Sequence, residues 1–399
     1  MTGTLRLVVV PNDPIGLYEQ SGYDNLGQYF NPTGMFHEVI VLSPLEQGGR
    51  QAHGMLIRGV SEREFGRVLG QVRPDVVRAY SGRWPADLAC RNRIEGIPVI
   101  VSVHDDRQGL MHPSLRYADL VICMSSIVKQ QVRKVGVEIG RIRVLPNRVD
   151  TTRFHPISDP NILAIVDKQF PPGKHILHVG RRTRQKNLDT LIRALVLLPP
   201  EYSCVFVGMG DKLPYVALAE ELGVGPRCFW LDTVKNSELP SWYSWCDCFC
   251  VPSRFEGFGT VFIEAAACGA PIVTSDIPPM NDYLIPDVSA SLVRDYEQPR
   301  ALAGAIRRVC DDNEYRHRIS GGGVRVAQQR FDQRIVDAAE AAIYREALSL
   351  PLPSITRRLE ITRWKGQEAL RFYARQPRKL IARSRLWKQA KSYLNLVRS

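Results

Sequence analysis

Residues 252–269, PSRFEGFGTVFIEAAACG, leave the chain few choices of fold. The apolar run before them, 245–251, has the length of a buried strand. Gly257 and Gly259 then let backbone pass close to a ligand where a side chain would collide. From about Thr260 the apolar spacing turns helical, and Gly269 supplies a C-terminal stop. The loop from Glu256 to Thr260 therefore sits over a helix N-terminus, which offers N–H groups and partial positive charge to an anion. Glu256 and Glu264 bracket this element. Eight helical residues rise roughly 12 Å, too far for the two carboxylates to share one proton or one small metal ion. They suit two different parts of one elongated ligand.

Strands alternate with helices on both sides of this stretch. In the first half, strands are expected at 5–10, 38–42, 75–78, 98–103, 119–123 and 143–145. Helices are expected at 61–71, 84–95 and 125–135, the last capped by Ser125. In the second half, strands are expected at 176–180, 204–207, 228–231, 245–251 and 272–275, with a helix starting near Ser237 and Glu238 and closing helices over 330–348. That alternation predicts an α/β chain of two doubly wound parallel sheets, with ligands beyond the carboxyl ends of the strands. The expected division is 1–160, 161–335, a closing helix at 336–350 and a tail at 351–399.

The net charge of +12 looks like a nucleic-acid signal until it is located. Residues 351–399 hold thirteen Lys or Arg and two Glu, a net of +11, which leaves +1 for the other 350. No RNA- or DNA-binding motif accompanies this tail, so no nucleic-acid partner is expected. Its basic residues interleave with Trp364, Leu370, Phe372, Tyr373, Trp387 and Tyr393, a composition that suits an anionic membrane surface. A helical extension packed on the body is the competing reading. No apolar run approaches the roughly 20 residues that span a bilayer. Residues 7–10 are too short an apolar run for a signal peptide. The nine cysteines show no zinc or disulfide spacing, and Cys246, Cys248 and Cys250 read as small core residues sharing one face of a strand. These features together predict a cytoplasmic protein, peripheral on the inner face of the membrane.

The frame around Glu256 and Glu264, with Pro252, Ser253, Gly257, Phe258 and Gly259, resembles the E-x7-E motif of the family 4 glycosyltransferases. Other segments are similar to the same family: VSVHD at 101–105, ADLVICMSS at 118–126 and RVLPNRVDTTRFHP at 143–156. So is GRRTRQK at 180–186, in which Arg181 and Lys186 hold the places of the family's paired cations. The resemblance covers 98–348 well, 1–97 by fold alone, and the tail not at all. It implies the GT-B fold and a retaining, metal-independent enzyme that takes sugar from a nucleotide diphosphate sugar, UDP- or GDP-linked, with no further cofactor. It implies that His104 faces the donor sugar, that Arg181 and Lys186 bind the diphosphate, that Glu256 binds sugar hydroxyls and that Glu264 binds the ribose. Gly208 would form a second glycine turn, Val234 would lie at the nucleobase, and Gly257, Phe258, Gly259 and Thr260 would line the phosphate loop. Catalysis is thus assigned to His104, Arg181, Lys186 and Glu256.

Arg182 and Arg184 are expected to face solvent. The chain departs from the pattern in three places. The glycine pair after the first strand is missing, leaving Gly16 or Gly34 as the nearest candidate to approach donor phosphates. Arg148 stands where the family usually has Gly, and Pro278, Pro279 and Asn281 replace its Gly-Gly and Pro-Glu. The acceptor is expected to be a lipid-linked or cell-surface glycan precursor. The alternative is a catalytically silent relative that binds nucleotide or partners in a glycan-assembly complex. A sugar phosphorylase is a third reading, but the chain has no recognisable cofactor-lysine region.

Overall fold

The computed structural model describes residues 4–20 and 25–374, with side chains as far as 368. Its first sheet is built from β1 (Arg6–Val10), β2 (Glu38–Ser43), β3 (Gly49–Ala52), β4 (Met55–Gly59), β5 (Val76–Tyr80), β6 (Val99–Val103), β7 (Leu120–Cys123) and β8 (Ile142–Val144). Their spatial order is β3-β4-β2-β1-β5-β6-β7-β8. All neighbours are parallel except the β3–β4 hairpin. The second sheet holds β9 (Lys174–Val179), β10 (Tyr202–Val207), β11 (Cys228–Leu231), β12 (Cys248–Val251), β13 (Ile272–Ser275) and β14 (Ser291–Val293). It is ordered β11-β10-β9-β12-β13-β14 and is parallel throughout. The central strands are near-continuous apolar runs because helices cover both faces, which is what VVV, VIVSV and CFCV record.

Two expectations about strands are corrected. The run 245–251 is not one strand: Trp245 ends the helix Leu239–Trp245, and β12 begins at Cys248. Cys246 therefore caps that helix and packs in a different part of the core from Cys248 and Cys250. All nine cysteines are buried and unpaired, and no metal-binding cluster occurs among the described residues. The structure also adds β3, β4 and β14 to the expected strands. β3 is an exposed polar edge, GRQA, with no buried face to betray it. His53 and Gly54, both at positive φ, make the two-residue turn that joins β3 to β4.

The two sheets are joined twice. A backbone seam runs between Val149 and the start of the long returning helix Gln333–Ser349. Val149 donates to the Phe331 carbonyl at 2.8 Å and accepts from the Gln333 amide at 2.9 Å. The returning helix then lies on the first domain. Glu340 meets Arg78 at 3.2 Å and Arg148 at 3.1 Å, Asp337 pairs with Arg148, and the Tyr344 ring packs edge-on against Phe36.

The tail begins as the helix Ile355–Ala374, and its described part is a packed extension. Trp364 is 6% exposed and stacks on Tyr117 at 4.4 Å, and Ile361 is buried beside it. Arg357 donates to the Ala118 carbonyl at 2.8 Å, and Arg358 pairs with Glu95 at 2.7 Å. Trp364 is thus not available to a membrane surface. The side chains of Leu370, Phe372 and Tyr373, together with residues 375–399, lie outside the described side chains. Among the described residues no helix is long and apolar enough to cross a membrane.

Candidate active site

In each sheet the strand order reverses beside one strand, β1 in the first and β9 in the second, and such reversals open a crevice at the carboxyl ends. Residues 180–187 leave β9 and residues 252–259 leave β12, its neighbour. The two loops are stitched together. Arg254 donates to the Arg184 carbonyl at 2.8 Å and pairs with Asp189 at 2.9 Å and Glu297 at 2.7 Å. Glu256, buried beneath the loop, accepts from Lys186 Nζ at 2.6 Å, Ser253 Oγ at 2.7 Å and Gln185 Nε2 at 3.2 Å. A buried carboxylate is tolerated only with such partners.

Arg181, by contrast, is exposed and makes no hydrogen bond or ion pair among the described residues. Its neighbour Arg182 corrects the expectation of a solvent-facing side chain. It is buried, pairs with Asp232 at 2.9 Å and donates to the Leu231 carbonyl at 2.7 Å, so it braces the ends of the strands. Arg184 is exposed, as expected.

Gly257 and Gly208 serve backbone against backbone. A Cβ on Gly257 would stand 2.5 Å from the His104 carbonyl oxygen, so this glycine lets the two domains touch. A Cβ on Gly208, at φ +143°, would stand 2.1 Å from the Gly180 carbonyl. Gly259 caps the helix Thr260–Ala267 at φ 83°, with the Phe262 ring where a Cβ would go. Phe258 is buried against Tyr283 and Phe331, and holds the loop from below. Gly16 does not form a phosphate turn. It sits inside the short helix Ile15–Gln20, whose leading amide, on Ile15, already donates to the Glu46 carboxylate at 2.5 Å. Gly34 is a turn glycine at φ +64° with open space around it. Val234 is half-buried in the loop after β11.

Two bonds from the first domain hold the helix Thr260–Ala267 and the loop before it: Ser125 Oγ donates to the Gly257 carbonyl at 2.6 Å and Asn147 Nδ2 to Thr260 Oγ1 at 2.8 Å. A third crosses to the short helix Met280–Tyr283, where Ser126 donates to Asp282. Between the domains lies a cavity of about 560 Å³. Of the expected site residues, His104, Thr260 and Glu264 line it, while Arg181, Lys186 and Glu256 stand outside its lining. Glu264 accepts from the Tyr243 hydroxyl at 3.1 Å, yet burial pushes its carboxyl up to about 7. The His104 ring is open to the cleft, but the cleft is walled by protein. Loss of bulk water and the charge of Arg78 push its imidazole down to about 4, so it is neutral near pH 7.

Much of the cavity wall was not foreseen. Arg78, Tyr80, Asn236 and Glu340 line it, as does Arg148, noted in the sequence only for displacing a glycine. One signal was available: an arginine in the middle of the apolar strand VVRAY has to find a buried partner.

The chain matches two family models. Residues 26–153 match the model described as Glycosyltransferase Family 4, and residues 166–324 match Glycosyl transferases group 1. It is 32% identical over 226 residues to a D-inositol 3-phosphate glycosyltransferase of Xylanimonas cellulosilytica, covering 54% of each chain. That match spans about half the length of the relative. It is 24% identical over 357 residues to an uncharacterized glycosyltransferase of Methanocaldococcus jannaschii, covering 82% of this chain and 89% of the other. Among solved structures, the Anabaena protein HepE in complex with UDP superposes with a TM-score of 0.71 at 18% identity, over 86% of this chain and 100% of that one. Each family model falls on one of the two sheets, and Glu264 of the E-x7-E frame lines the cleft between them. The chain belongs to the family 4 glycosyltransferases, of the GT-B type.

Proposed function

We propose that the protein is a retaining glycosyltransferase. It moves a sugar from a UDP- or GDP-linked donor to a hydroxyl of a lipid-linked or cell-surface glycan precursor. The reading rests on one observation above the others. Arg181, which has no partner among the described residues, and the Lys186–Glu256 pair stand where β9 and β12 end, next to a helix whose N-terminus carries no side-chain cap. Departure of a nucleoside diphosphate builds negative charge on the leaving phosphate. Preorganised cations and free amides aimed at that charge lower the barrier. Arg181 is free to bind the diphosphate, and Lys186 turns from Glu256 toward it as the donor arrives. Glu256 then accepts from sugar hydroxyls and Glu264 from the ribose. Neutral His104 hydrogen-bonds the sugar from the other domain. No carboxylate is assigned as a nucleophile, so retention proceeds on one face, with the leaving phosphate accepting the proton of the acceptor hydroxyl. The two cations do the neutralising, and the step is written without a metal.

Calorimetric titration with UDP, GDP and dTDP, beside Glu264→Ala, tests the donor site: one nucleotide binds and the variant weakens it. Arg181→Ala is expected to cut turnover by about a hundredfold or more; near wild-type turnover would remove Arg181 from the mechanism. Association with the cytoplasmic membrane face is assigned to the basic residues of the tail beyond the packed Trp364. Co-sedimentation with anionic vesicles, lost on truncation after residue 374, is the test of that part.

A further inference from the structure

We propose that the outer side of the helix Ile355–Ala374 is the surface that lies on an anionic lipid bilayer, with Leu352, Ile355 and Leu359 entering the lipid. The proposal rests on the membrane association assigned to the tail above. It names the side chains that make the contact and the way the molecule then stands.

The helix is apolar on two sides. Ile361 and Trp364 face the body and are 7% and 6% exposed. Ile355 and Leu359, one turn apart and roughly half a turn round from Trp364, are 70% and 59% exposed. Leu352, just before the helix, is 60% exposed. Single exposed apolar side chains are ordinary on a protein surface, but three this close in the chain form a stripe. A helix that is apolar on opposite sides calls for a cover on both. The body covers one of them, and firmly. Trp364 stacks on Tyr117, Arg357 donates to the Ala118 carbonyl at 2.8 Å and stands 3.7 Å from Asp119, and Lys365 Nζ donates to the Arg93 carbonyl at 3.3 Å. These contacts hold the other side outward.

Charge identifies the second cover. Residues 369–399, which follow the stripe directly, hold nine Lys or Arg and no Asp or Glu. Arg363, between Leu359 and that segment, is exposed. An apolar stripe running into a polycationic segment suits a lipid surface with anionic headgroups. A nucleic acid takes the charge but offers nothing to Leu352, Ile355 and Leu359. A second copy of the chain brings the same nine cations to the contact, and they repel. The helix also sets an orientation. Its partners Arg93, Ala118 and Asp119 precede β6 and β7, at the amino ends of the first sheet, whereas the candidate active site lies beyond the carboxyl ends. A bilayer met at this helix therefore leaves the cleft open to the aqueous phase, and an acceptor hydroxyl has to stand clear of the headgroups to reach it.

The experiment uses the full chain and phosphatidylcholine vesicles, with and without phosphatidylglycerol. Ile355→Ser combined with Leu359→Ser removes the stripe and keeps the tail charge and the Trp364 stack. The parent is expected to co-sediment with the anionic vesicles alone, and the double variant to bind them about tenfold more weakly with an unchanged melting temperature. Orientation is read with a polarity-sensitive fluorophore on one introduced cysteine, the native ones being buried. Its emission should shift to the blue on anionic vesicles at Leu359→Cys and stay unchanged at Lys212→Cys, an exposed site beyond the carboxyl end of β10. Equal vesicle binding by parent and double variant would overturn the stripe and leave membrane binding to the charge of the tail. A shift at Lys212→Cys with none at Leu359→Cys would overturn the orientation. A parent dimer that the double variant dissolves would assign the stripe to a second copy and overturn the lipid assignment. A parent that does not sediment with anionic vesicles would overturn the membrane reading and this proposal together, without touching the transferase reading.

Discussion

Glu264 answers two opposing demands. Its carboxyl lines the cavity, as the proposed ribose contact requires, but the same wall removes its water, and burial pushes it up to about 7 from an ordinary 4.5. The folded protein therefore holds a proton there that the unfolded chain releases between about pH 4.5 and 7, and stability falls as pH rises through that window. Glu264→Gln removes the titration and keeps an acceptor for the Tyr243 hydroxyl. It is expected to raise Tm at pH 8 by about 2–4 °C relative to the parent, with little change at pH 5. Scanning calorimetry at the two pH values checks this, and an equal shift at both would contradict it.

Among the described side chains of the tail helix Ile355–Ala374, one aromatic anchor, Trp364, holds it with flanking arginines. Trp364→Ala is expected to cost the docked helix about 3 kcal/mol. Hydrogen exchange should then accelerate over 355–368 while β6 and β7 keep their protection; unchanged exchange in the helix would show that Trp364 is not the anchor. This packing was only one of two readings in the sequence, because a tryptophan among basic residues looks the same whether its neighbour is a lipid or Tyr117. The E-x7-E frame was legible, since loop, helix start and both glutamates lie within one short run. The reason for Gly257 was not: its neighbour is His104 in the other domain, and sequence shows a glycine without showing what approaches it. Arg182 and Arg184 look alike in a basic loop, yet only Arg182 has Asp232 and the β11 carbonyl within reach. In sequence Arg78 looks like a strand end, because its partner, Glu340, is contributed by a helix from the far end of the chain.

For the whole molecule, the returning helix and the cross-domain bonds mean that the link between the domains is not what keeps them together. A protease site inserted between the exposed residues Pro171 and Pro172 tests this. After cleavage the two pieces are expected to co-elute in size-exclusion chromatography and to part only in denaturant; separation in native buffer would assign the association to the link. The seam at Val149 has a further meaning. Its amide and carbonyl bond to Phe331 and Gln333, so the chain leaves the first domain and re-enters it at touching points. The second domain is, in topology, a cassette inserted into the first. Insertions are tolerated where their ends lie close together. A cassette cut at 150 and 332 meets its host at Val149 and Gln333, around Gly257 and Thr260, and at Asp282, which bonds Ser126. The loops that carry Arg181, Lys186 and Glu256 can therefore be exchanged between relatives as a block, while the cavity wall formed by Arg78, Tyr80 and Glu340 stays with the host.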